Sequence, residues 1–232
     1  MLMESKFKVF VYLCARRVYT FSHFILSVIA IPSHRVLLHA CCAPCSSAIV
    51  EWMLAHDIRP TIYYYNPNIF PREEYEIRKN ESKRHAEGLG IAWIDDDWDH
   101  EGWLGCVRGM EDEPERGRRC LRCFEMRLTA AARKAVELDI PWFATTLASS
   151  RWKRLEQIEQ AGMAAQAAVP GAHFWAQNWR KGGLQERRNQ LLRQFGFYNQ
   201  KYCGCEFSFR STPTPPADNL SAPCDDGHPA NK

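Results

Sequence analysis

The sequence predicts an α/β fold: a doubly wound, mainly parallel sheet in a single domain with flexible ends. Short apolar or β-branched runs alternate with longer helical stretches at the spacing of βα units. Such units need crossover connections, which make neighbouring strands parallel. The loops richest in reactive side chains also follow strand signals, as the ligand loops of these sheets do.

The first 34 residues differ from the rest. Val9–Leu13 is apolar, Arg16-Arg17 interrupts, and Phe21–Ile31 is largely apolar, which superficially resembles a signal peptide. No small-x-small cleavage site follows, and the run falls short of the ~20 residues of a membrane helix. Residues 1–34 are read as an accessory extension of a cytoplasmic protein, with no membrane partner expected. Val36–His39 is a buried-strand signal, followed by a cysteine loop, Cys41–Cys45. Ser46 or Ser47 can cap a helix to about His56, with Ile49, Trp52 and Met53 on one face. Thr61–Tyr65 is a second strand, broken by Asn66-Pro67-Asn68. Arg72–Gly88 is a charged helix ended by glycine, and Ile91–Ile94 a third strand. In the long helical stretch Cys120–Leu138, Leu121, Phe124, Leu128, Ala131, Ala132 and Ala135 form the apolar stripe. Trp142–Thr146 is a fourth strand, Trp152–Gln166 a helix and His173–Trp175 a fifth strand, before a basic helix from Leu184. The domain is drawn at 35–209, and the proline-rich polar tail 210–232 is expected to be disordered.

The chain has 232 residues, 46% hydrophobic and 25% charged, with a net charge of +3. That excludes general disorder, a collagen-like repeat and a multi-span membrane protein, and it permits an anionic partner. Ten cysteines are too dilute for a disulfide-stapled miniprotein. Seven of them form three tight groups: Cys41-Cys42-x-x-Cys45, Cys120-x-x-Cys123 and Cys203-Gly204-Cys205. Cys14, Cys106 and Cys224 are scattered and read as ordinary thiols.

Three chemistries compete for the grouped thiols. A structural disulfide framework needs an oxidising compartment, and no export signal supports one. Zinc could take Cys42, Cys45, Cys120 and Cys123, but these knuckles lie much farther apart in the chain than in a zinc ribbon. An iron–sulfur cluster tolerates that separation, and two irons of a cubane can take the neighbours Cys41 and Cys42. Chemistry favours iron–sulfur and leaves zinc open. A disulfide in Cys203-Gly204-Cys205 would close a small, strained, readily reduced ring suited to electron transfer. Alternatively, these two thiols bind the same metal centre.

LLHACCAPCS, YYYNPNIFPREEYEIRK, EPERGRRCLRCFEMRL, ATTLASSRWK, and NWRKGG followed by YNQKYCGCEFS occur in this order between about Val36 and Phe209. Together they resemble the non-cobalamin epoxyqueuosine reductases, the QueH family. The resemblance implies an oxidoreductase that reduces epoxyqueuosine to queuosine at the tRNA wobble position and releases water. It implies a [4Fe-4S] cluster on Cys41, Cys42, Cys120 and Cys123, and a redox-active disulfide pair, Cys203 and Cys205. Cys45 matches a position that is not always cysteine and is a candidate for an additional iron. The implied fold is similar to the nucleotide-binding fold of tRNA-thiolating enzymes, and the implied partners are tRNA carrying epoxyqueuosine and an unidentified electron donor. This chain has Asn178 where relatives often have Asp, and Ser150-Arg151 where many have Ser-Pro, so no carboxylate role is carried to position 178. With no P-loop or G-x-G-x-x-G, nucleotide binding has no support. A zinc-stabilised RNA-binding module and another iron–sulfur tRNA-modifying enzyme are the alternatives.

An exposed iron could act as a Lewis acid on the epoxide oxygen, with the nucleotide between the cysteine loop and the Asn66–Phe70 loop. Glu111, Asp112, Glu113, Glu115 and Asp95–Asp97 are candidate proton donors or plain acidic surface. His39 could bond a cluster sulfur or simply close a strand. Arg116, Arg118, Arg119, Arg122, Arg180, Lys181, Arg187, Arg188 and Arg193 are candidate phosphate contacts. Tyr64, Phe70 and Trp179 are candidate stacking platforms for an unpaired base.

Overall fold

The computed structural model describes residues 31–96, 98–150 and 152–209. The expected extension lies almost wholly, and the tail wholly, outside them. In chain order the elements are β1 (Arg35–His39), α1 (Ala43–Ala55), β2 (Arg59–Tyr64), α2 (Arg72–Gly88) and β3 (Trp93–Asp95). Then come α3 (His100–Cys106), α4 (Arg118–Glu137), β4 (Trp142–Thr145) and a 3-10 turn (Thr146–Ser149). The last are α5 (Leu155–Ala168), β5 (His173–Phe174), α6 (Leu184–Phe195) and α7 (Glu206–Phe209).

The five strands run in the order β3-β2-β1-β4-β5, and every pairing is parallel. A sheet that winds outward from β1 to β3 and restarts at β4 has its switch point between β1 and β4. Val36, Leu37 and Leu38 of β1 are fully buried, as a strand covered on both faces requires. α4 buries Phe124, Leu128, Ala131, Ala132 and Ala135 and packs on β1, β4 and α5. Burying a Leu or Phe of this kind contributes roughly 1.5–3 kcal/mol. α1 packs against α2 and α6. Among the described residues, no helix is long and apolar enough to cross a membrane.

Boundaries differ from expectation where local bonds override pattern. α1 starts at Ala43, ahead of the serines, because Pro44 is tolerated in a first turn, where its missing N–H is not needed. The Ser46 hydroxyl donates back to Cys42 O at 3.1 Å instead of capping. Cys45 therefore sits in a helical turn rather than a loop. β3 starts at Trp93 because the Ile91 N–H closes α2 by donating to Ala86 O at 3.0 Å. α3 is too short for periodicity to reveal, although its cap, Asp99, accepts the Gly102 N–H at 2.8 Å.

Candidate metal and redox site

The first cysteine group occupies the switch point. Beyond β1, the Cys41 N–H donates to Thr146 Oγ1 at 3.3 Å, which ties the turn to the end of β4. The sulfurs of Cys41, Cys42 and Cys45 all lie within 4.8 Å of one another, and all three residues are buried. Hydrogen bonds from Cys42, and then from Cys45, hold the Cys41 thiol well below the usual thiol range. Those same bonds to Cys41 push Cys42 well up and Cys45 up to about 11. Three buried sulfurs this close together are a soft donor set that could hold a metal. The Gln200 amide donates to Cys42 Sγ at 3.0 Å. Asn66 donates to Ala40 O at 2.9 Å and accepts from Arg127, whose guanidinium reaches toward Cys123 Sγ at 4.0 Å.

Cys120 and Cys123 lie in the first two turns of α4, on one face by their spacing. The Arg116 N–H donates to Cys120 Sγ at 3.2 Å. Cys123 packs with Cys205, Trp103, Val107 and Phe207, so the second group touches the third. Burial, with Cys203 close by, raises Cys120 to about 11, and burial raises Cys205 to about 12. Cys120, Cys203 and Cys205 line one cleft with Lys153. Burial works against the Lys153 charge, yet Cys203, Cys41 and Cys45 outweigh it and hold the ammonium above its ordinary range. Lys153 thus senses both the first and third groups.

Cys203 and Cys205 are free thiols, so the disulfide expected between them is not formed in this structure. Their loop is docked rather than loose. Arg78 donates to Cys203 O and Tyr202 O, each at 3.3 Å, and pairs with Glu74 at 2.7 Å. The Phe70 N–H donates to Gly204 O at 2.8 Å. Gly204 has φ 113, and a Cβ there would stand 3.0 Å from Arg78 Nη1 and 3.1 Å from Ile69 Cγ1, so glycine is required twice over.

The chain matches the family model described as Epoxyqueuosine reductase QueH over residues 36–211. The chain belongs to the QueH family. It is 48% identical over 179 residues to the Epoxyqueuosine reductase QueH of Histophilus somni, covering 77% of this chain and 74% of that protein. The protein of that name from Acinetobacter baylyi is 46% identical, over 77% of this chain and 82% of its own length. The one from Thermotoga maritima is 33% identical, over 75% of this chain and 89% of its own length.

The fold of this QueH member gathers the predicted cysteines unevenly. Among the described residues, the tight sulfur group is Cys41, Cys42 and Cys45, while Cys120 and Cys123 stand with Cys203 and Cys205. His39 does not face a sulfur: its Nε2–H donates to Tyr65 O at 3.2 Å, and Nδ1 accepts from the Thr145 hydroxyl at 2.8 Å. Tyr64 and Trp179 are buried and are not stacking platforms, and the Trp179 N–H donates to Thr145 O at 3.2 Å. Phe70 is half-exposed and stacks on His100. Arg119 is a buried structural residue whose guanidinium binds the carbonyls of Met110, Glu111 and Glu113. Arg187 is paired with Glu51 at 2.6 Å, and Arg118 with Glu113 at 2.9 Å. Asp95 pairs with Lys79, and Asp96 accepts from Tyr63. Asp97 lies outside the described residues. Sequence reading missed Arg78, Arg127, Lys153 and Gln200. All four lie inside the motifs quoted above, but only Arg78 also shows helical spacing to its partner, Glu74.

Proposed function

We propose that this chain reduces epoxyqueuosine to queuosine at the wobble position of tRNA, the last step of queuosine biosynthesis. The observation that carries the reading is the buried trio Cys41, Cys42 and Cys45 beyond β1 of a parallel sheet, together with a second gathering of Cys120, Cys123, Cys203 and Cys205, in a chain matched by the QueH family model over residues 36–211. The donor chemistry fits an iron–sulfur centre: buried thiols with no carboxylate in the tight group. Cys41, Cys42, Cys120 and Cys123 would hold a [4Fe-4S] cluster, with Cys45 available to an additional iron. When bound, such a centre supplies electrons to the carbon–oxygen bonds that break.

Deoxygenating an epoxide to an alkene and water takes two electrons and two protons. Cys203 and Cys205, passing from dithiol to disulfide, release that number of each. An external reductant of the cytoplasm then restores the dithiol. Arg78 holds the backbone of this pair, and Lys153 adds positive charge beside it.

Anaerobically purified holoenzyme incubated with tRNA carrying epoxyqueuosine tests the reading. Mass spectrometry of the nucleosides should show conversion to a product lighter by one oxygen. Replacing Cys203 and Cys205 together with serine should retain the iron and abolish multiple turnover. A colourless protein with stoichiometric zinc and no conversion would instead mark a zinc-stabilised RNA-binding module.

A further inference from the structure

The segment between β4 and α5 carries the most exposed large hydrophobic side chain among the described residues: Trp152, at 62%. Its backbone is nonetheless firmly held. Arg116 Nε donates to Trp152 O at 2.8 Å. From the other side, Arg180 Nη2 donates to Ser150 O at 2.6 Å and to Lys153 O at 2.7 Å. The Gln157 amide in turn holds the Arg116 turn, donating to Arg116 O at 3.0 Å and Gly117 O at 3.2 Å. Two guanidiniums therefore clamp three carbonyls in and around one exposed tryptophan.

Trp152 also lines the cleft that contains Cys120, Cys203 and Cys205. Arg116, Lys153 and Arg154 line it too, with Glu115 as the one carboxylate of the lining. An exposed aromatic ring on a firmly held backbone, flanked by cations where it lines a cleft, suits single-stranded nucleic acid. The base stacks on the ring while its phosphates meet the cations. We propose that Trp152 is the stacking platform for an unpaired anticodon-loop base next to the wobble nucleotide. This deepens, and rests on, the reading of the chain as a tRNA-acting reductase. Stacking beside the wobble position would hold the splayed loop while the modified base enters toward the cysteines.

The test uses iron-loaded holoenzyme and fluorescently labelled anticodon stem-loops. Trp152→Ala should weaken binding about 5- to 150-fold, the range for losing one base–aromatic stack. Trp152→Phe should recover most of that loss. The salt dependence of Trp152→Ala should match wild type, because no phosphate contact is removed. With tRNA carrying epoxyqueuosine, the loss should appear in KM more than in kcat. Stem-loops lacking the base on either side of the wobble nucleotide supply a double-mutant cycle, in which one of the two should lose affinity non-additively with Trp152→Ala. Wild-type affinity in Trp152→Ala, additivity with both base deletions, or coupling to Phe70→Ala instead would overturn the proposal. Wild-type enzyme that binds the stem-loop but converts no epoxyqueuosine would overturn the functional reading and leave the stacking result standing.

Discussion

Both ring nitrogens of His39 are occupied, one by Tyr65 O and one by the Thr145 hydroxyl, which itself accepts the Leu147 N–H at 3.2 Å. Burial lowers the imidazole to about 3, so it stays neutral at working pH and pins the ends of β1 and β4 together. His39→Ala would open a cavity and leave Tyr65 O unpaired. We expect a loss of about 2–4 kcal/mol in denaturant unfolding, and a stability within experimental error of wild type would refute this account. Sequence reading left His39 divided between metal chemistry and strand closure, because its partners come from two other strands. Trp179 and Tyr64 misled for the same reason. Aromatic residues beside basic ones suggest a nucleic-acid surface, and only the packing shows which rings face inward. Cysteine spacing was more legible: the three groups were visible in the chain, and the side chains that serve them were not.

At the scale of elements, periodicity located every long helix, and α2 has the bounds expected of it. Departures occur where one hydrogen bond outweighs a pattern, as at Ser46 and Ile91. The docking of the Cys203–Cys205 loop onto α2 was hidden, since a charged helix looks solvent-facing from its composition. Arg78 and Glu74 are in fact buried there as an ion pair, with Tyr198 OH donating to the same carboxylate at 2.7 Å. Arg78→Met would leave Glu74 buried without its counter-charge and cost about 3–5 kcal/mol. The loop should then detach, so that a thiol-alkylating reagent labels Cys203 and Cys205 faster than in wild type while steady-state turnover falls. Unchanged labelling rates in a folded variant would show that the loop holds itself in place.

For the whole molecule, alternation of strands and helices announced the fold class, and the rule for working loops pointed to the sheet edge beyond β1 where Cys41 and Cys42 lie. The strand order, and hence the approach of Thr146 to Cys41, depends on long-range pairing that periodicity does not encode. The family match over residues 36–211 and the core beginning at Val36 argue that this stretch is self-sufficient. A chain trimmed to residues 32–211 should keep its iron content and its conversion of epoxyqueuosine-bearing tRNA, as measured by metal analysis and nucleoside mass spectrometry. Loss of either would assign the ends a part in the site. The bond from Gln200 to Cys42 has a consequence in time as well as space. Ribosomal synthesis delivers domains from the N-terminus onward, so the first sulfurs leave the tunnel long before their cover exists. The pocket that shields them closes only after a residue 158 positions later has emerged, so a metal that arrived earlier would find the sulfurs bare.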